Sequence, residues 1–231
     1  MQVITNEKLI ASRVRLGRIA GLVGMAVLLA GLFLTFRQEQ SYILLWYPAV
    51  VVGLIATMVA AYNAEKFIRE PRADLAIARA MKGFDNRYQL FNWVLPAEHV
   101  ILGPAGVLVL LAKRQSGHVV CENDRWQHKQ NLFARFQGFA RERLGNPNRD
   151  LAAEVERIRQ IVAEVESETA VPVQGVVLFL NASVDLAVNG CSVDVVPLKK
   201  LKDYLKAWSR GPKVPDHVRR EVAQALEAVR K

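Results

Sequence analysis

Two stretches of the chain carry no charge at all. Residues 19–36 (IAGLVGMAVLLAGLFLTF) and 41–62 (SYILLWYPAVVVGLIATMVAAY) are apolar all round rather than along one face, over 18 and 22 residues. As a helix the second run covers about 33 Å, against about 30 Å for the hydrocarbon core of a bilayer. Neither run has a polar face to offer water, so a pair of soluble core helices is excluded. The basic lead KLIASRVRLGR gives the first run the outline of a secretory leader. Its length, the lack of a small-residue cleavage site and the second run four residues later predict two uncleaved spans instead.

Beyond residue 62 the period changes. NAEKFIREPRADLAIARAMKG predicts helix with a break near Pro71 and a new start at RADLAIARAM, where Leu75, Ala78 and Met81 or Ile77 share a face and Gly83 stops the helix. Short apolar runs follow: RYQLFNWVL, EHVILG, GVLVLLAK and GHVVCE. Pro96-Ala97, Gly103-Pro104-Ala105-Gly106 and Gln115-Ser116-Gly117 separate them. This pattern predicts a meander of strands in one connected sheet. NDRWQHKQNLFARFQGFARERLG is polar and aromatic with no clear period. NPNRDLAAEVERIRQIVAEVESE then carries a helical stripe of Leu151, Val155, Ile158, Ile161, Val162 and Val165, started by Asn146 or Asn148 with Pro147. VPVQGVVLFLN reads as a buried strand, VDLAVN and CSVDVVPL as shorter ones, and LKKLKDYLKAWS as an amphipathic helix. A last helix lies in VPDHVRREVAQALEAVRK, with Asp216 as its expected cap.

The predicted fold class is α/β: a two-helix transmembrane hairpin, then a mixed β-sheet flanked by helices. The predicted segments are a basic N-terminus over 1–18, spans within 19–62, a juxtamembrane helix over 63–82, the α/β domain over 83–208 and a C-terminal helix over 209–231.

Charge orients the spans. Lys8, Arg13, Arg15 and Arg18 precede the first and Lys66, Arg69 and Arg72 follow the second, while Arg37 alone stands in the connection. Cations collect on the cytoplasmic side, so both termini are expected there, in a cell inner or plasma membrane. Trp46, Tyr47 and Tyr62 suit the interfacial belts. The net charge is +9, and from residue 63 onwards 26 Lys and Arg face 20 Asp and Glu. That surplus suits anionic membrane lipid or nucleic acid phosphate, and charge alone does not choose. Cys121 and Cys191 show no metal-ligand spacing and are expected as ordinary buried thiols. The histidines at 99, 118, 128 and 217 form no sequence cluster.

The segment ARAMKGFDNRYQLFNWVLPAEHVILGPAGVLVLLAKRQSG, followed by GNPNRDLAAEVERIRQIV and VPVQGVVLFLNASVDLAV, resembles the NERD or nuclease-related domain over roughly residues 70 to 208. HVILGPAGVLVL is its most specific element. The resemblance implies a fold related to the PD-(D/E)xK endonucleases, in which a helix acid, a strand acid and an acid-x-Lys pair surround Mg²⁺. Residues i and i+2 of a strand share a face, so an acid and a lysine two apart address one phosphate. Carried onto this chain, the helix acid falls near Asp74, the strand acid on Glu98 before His99, and the acid-x-Lys pair on Leu111 and Lys113. Leu111 offers no oxygen, so no metal ligand set is expected. Relative to a helix Glu and a strand Asp, Asp74 and Glu98 also have exchanged lengths. Glu122 is the available substitute acid.

Each residue also has a plainer reading. Asp74 suits a helix start whatever its function, Glu98 and His99 can simply open a strand, and Lys113 with Arg114 can end one in water. Gly103, Pro104 and Gly106 read as turn chemistry, since no P-loop spacing or following helix is present. Candidates for nucleic-acid or anion binding are Lys113, Arg114, Arg125, Trp126, His128, Lys129 and Arg135. Three functions remain open. The first is a non-catalytic, membrane-anchored module binding nucleic acid or another anionic partner, with no cofactor. The second is a Mg-dependent endonuclease with rearranged acids. The third is a membrane scaffold for an unknown protein partner.

Overall fold

The computed structural model describes residues 1–36, 43–129, 143–165 and 170–229. The connection holding Arg37 and the stretch holding Arg135 lie outside them. The chain divides into two compact units, a helical hairpin from Glu7 to Arg72 and an α/β unit built from residues 1–6 and most of the chain after 72.

The hairpin consists of α1 (Glu7–Thr35) and α2 (Ile43–Phe67). Small residues set their spacing: a Cβ on Gly24 would meet the Gly53 carbonyl oxygen at 3.1 Å, and one on Gly53 would meet the Leu28 side chain at 2.6 Å. Glycine at these positions lets the two backbones approach closely. The outer surface is apolar, with Leu22, Leu29 and Met58 about 60% exposed. Both helices are long and apolar enough to cross a membrane.

The α/β unit is built on a six-stranded sheet in the order β1-β2-β3-β4-β7-β9. Its strands are β1 (Gln2–Thr5), β2 (Gln89–Asn92), β3 (His99–Gly103), β4 (Gly106–Lys113), β7 (Val173–Phe179) and β9 (Asp194–Pro197). The β2–β3 and β3–β4 pairs are antiparallel; β1–β2, β4–β7 and β7–β9 are parallel. The flanking helices are α3 (Ala73–Ala80), α4 (Pro147–Ala163), α5 (Leu201–Trp208) and α6 (Asp216–Ala228).

The near-continuous apolar run of β4 follows from burial on both faces. Val107, Val109 and Leu111 pack in one cluster with Leu151 and Ile158 of α4 and Val218 and Val222 of α6. Leu108 and Leu110 face the opposite way, into a cluster with Ile77 of α3 and Leu201 and Leu205 of α5. A Cβ on Gly175 of β7 would lie 2.7 Å from Val155 and 2.8 Å from Leu151, so glycine lets α4 settle onto the sheet.

The mixed α/β class is as the sequence predicts. Three details differ. The expected single sheet is two, because β5 (Gly117–Glu122) leaves the meander and pairs with β6 (Arg125–Lys129) and β8 (Val184–Asn189) in a separate three-stranded sheet. The polar RWQHK run is a strand, held by its pairing with β5 rather than by apolar alternation. Gln2–Thr5 of the basic leader adds to the edge of the large sheet before α1 begins. At the helix starts, Asn146 caps α4 by accepting from the Arg149 backbone N–H, whereas Asp216 is the first residue of α6 and follows Pro215, whose side chain makes no capping bond.

Candidate functional site

Strand parity decides what Lys113 faces. It shares its side of β4 with Leu111 and Val109, the side covered by α4. Lys113 is buried, and its Nζ lies 3.3 Å from Asp150 Oδ2 in the first turn of α4. A carboxylate is favourable at that helix end and compensates a cation that could not otherwise be buried. One turn on, Glu154 is buried too. Leu111 is 6% exposed and belongs to the apolar core beside them.

The other candidates separate. Extending the β3–β4 register, in which Val100 faces Val109, places Glu98 opposite Leu111 on the α4 side. Glu98 is half-buried, and its carbonyl accepts from the Trp93 N–H. Asp74 is buried in the first turn of α3, the helix on the opposite face of the sheet. Glu122 is exposed, on β5 of the smaller sheet, across from Arg125. His99 is fully buried; its ring meets the edge of Trp93, and its Nδ1 lies 2.8 Å from Asn92 Oδ1. Asn92 in turn donates to Thr5, so these polar residues link β3, β2 and β1.

Of the candidate anion contacts, Arg114 is half-buried and Arg125 exposed, while Lys129 ends β6. Trp126 is engaged with the protein itself. Its ring lies 6.2 Å from Phe179 and its indole N–H donates to Asn148 Oδ1. His128 Nε2 lies 2.6 Å from the Ser116 carbonyl. Asn148 also donates to Asp124 in the β5–β6 turn, and Asp124 Oδ1 accepts from both the Ser192 backbone N–H and hydroxyl. These donors, the Ser192 backbone first, hold the Asp124 carboxyl below its ordinary value.

Cys121 and Cys191, expected as ordinary thiols, are joined as a disulfide beside this turn. Parallel pairing of β5 with β8 sets Cys121 opposite Val188, three residues before Cys191. Among the described residues, Cys121, Asp124 and Cys191 are the one group of potential metal ligands whose donor atoms gather within 4.8 Å. The two sulfurs there are bonded to each other, and the candidate acids Asp74, Glu98 and Glu122 form no second group.

One family model matches a part of this chain. Residues 72–180 match NERD, the nuclease-related domain. The NERD segment runs from α3 through β7 and so contains Leu111, Lys113 and α4. No curated protein and no solved structure matches the chain significantly.

The sequence reading of NERD residues missed Asp150 and Glu154. A signal was present for Glu154: it falls at helical spacing inside the buried stripe of Leu151, Ile158 and Ile161, where an acid needs a reason.

Proposed function

We propose that this protein is a membrane-tethered NERD module that does not cut nucleic acid by the acid-x-Lys route and serves to bind an anionic partner on the cytoplasmic side. The observation that carries the reading is the pair at the end of β4. Leu111 fills core volume where a metal-binding oxygen would be needed, and the charge of Lys113 is met internally by Asp150. A lysine so buried and paired has little left for a phosphate. Tethering is supported by the two apolar helices and by β1: the chain leaves the large sheet before α1 and rejoins it after α2. A spanning hairpin therefore has both ends on one side. For nucleic acid, burial of Lys113 and the engagement of Trp126 shift the contact to exposed cations such as Arg125.

A second reading, a Mg-dependent endonuclease with rearranged acids, has one observation in its favour: Glu98 and Asp150 stand on the same side of the sheet as Lys113. One assay separates the two. The purified full chain is incubated with Mg²⁺ or Mn²⁺ and single-stranded, duplex and circular DNA and RNA. The proposal expects no cleavage. Metal-dependent cutting that disappears in both Lys113→Ala and Glu98→Gln would establish the endonuclease.

A further inference from the structure

The side of the large sheet away from Lys113 carries a different chemistry. Helix α5 presents Leu201, Tyr204, Leu205 and Trp208 to the core, Leu201 and Leu205 fully buried. Burial, and then the bond from its hydroxyl to Asp194, push the Tyr204 phenol well above its ordinary value. The outward surface is cationic: Lys202 and Lys206 of α5, four residues apart, Lys199 in the 3-10 turn before the helix and Arg210 in the turn after it are all exposed. Lys200 and Lys213 extend it, and exposed Arg79 of the neighbouring α3 and Lys82 in the turn after it add to it. Asp203 is the exposed acid within α5. Among the described residues, none of these cations is ion-paired.

We infer that this α3–α5 face is a docking surface for anionic phospholipid headgroups of the membrane that holds the hairpin. The inference rests on the membrane tethering proposed above. Six of the eight cations are lysines, compact charges suited to a diffuse layer of phosphates rather than to the bidentate pattern that arginine recognises. The aromatics of α5, Tyr204 and Trp208, are turned into the core and provide no platform for stacking single-stranded bases. Helix α3 starts six residues after α2 ends, a connection that reaches at most about 20 Å. A tethered domain is thus held continuously near the charges its cationic face complements.

The test uses the full chain in nanodiscs of phosphatidylcholine alone and of phosphatidylcholine with about 30% phosphatidylglycerol. Lysines are acylated under limiting conditions and mapped by mass spectrometry. The expected result is labelling of Lys199, Lys200, Lys202, Lys206 and Lys213 about fivefold slower in the anionic discs, with the protection fading as salt is raised. A Lys199→Gln, Lys202→Gln, Lys206→Gln variant should stay in the discs yet lose the protection at Lys200 and Lys213. Equal labelling in the two discs, with the chain retained in both, overturns the lipid surface and leaves tethering intact. A chain recovered outside the discs overturns both. Protection in neutral discs on adding duplex DNA, with none from anionic lipid, reassigns the face to nucleic acid.

Discussion

At the scale of single residues, the site near Lys113 is governed by what a buried charge demands. Its ammonium has 4% of its side-chain surface exposed, while Asp150 keeps 37%. Replacing Asp150 by Asn should therefore destabilise the fold by about 2 kcal/mol, less than for a wholly buried pair because Asp150 is partly solvated. Urea denaturation gives this number, and Lys113→Met combined with Asp150→Asn should recover part of it. An unchanged midpoint in Asp150→Asn would mean the pair does not carry the lysine. Asp124 supplies a pH dependence. Its carboxyl titrates below the ordinary 3.8 in the folded chain, so its contribution is present above that value and is lost as pH falls through the folded one. The melting temperature of Asp124→Asn should lie below that of the parent near neutrality, and the gap should close in acid. A gap independent of pH would contradict this linkage.

At the scale of elements, what holds the site is the fit of α4 against β4 and β7. Gly175→Val would put methyl groups where the Val155 and Leu151 side chains already stand, at 2.7 and 2.8 Å from the first carbon. The expected cost is about 1–3 kcal/mol. It should appear as a lower denaturation midpoint, together with faster hydrogen exchange in α4, and unaltered exchange there would show that the helix does not depend on this approach. Elements with strong local patterns were legible beforehand: β4 from its unbroken apolar run, α4 from its stripe and its Asn-Pro start. That Leu111 stands where an acid is expected comes from the resemblance to NERD; the strand spacing shows only that Leu111 and Lys113 share a face. Elements that depend on distant partners were not legible. Residues 125–129 are polar and become a strand because β5 lies beside them. Asp150 reaches Lys113 across 37 positions of sequence, and Cys121 reaches Cys191 across 70. No local period encodes such pairings.

At the scale of the whole molecule, the chain combines an apolar helical hairpin, an α/β fold and a cationic surface. The hairpin supplies apolar outer faces, the NERD segment supplies the central strands of a sheet covered by helices, and α5 with its flanking turns supplies an outward cationic surface. Tags placed at the two ends of the chain should be reached by a membrane-impermeant reagent from the same side of sealed inverted vesicles. Access from opposite sides would be incompatible with a spanning hairpin closed by β1.

The pairing of β1 with β2 also bears on the order of synthesis. Gln2–Thr5 precedes both hairpin helices in the chain, whereas its partner Gln89–Asn92 is made only after them. The edge strand must therefore wait, unpaired, until both helices have been made. If the hairpin spans a membrane as proposed, the ladder closes only on chains whose two hairpin ends emerge on the same side. A late-closing strand of this kind would then act as a check on insertion. Chains whose ends failed to meet would be left with an open sheet edge at Gln89–Asn92, the type of exposed ladder that promotes aggregation and proteolysis.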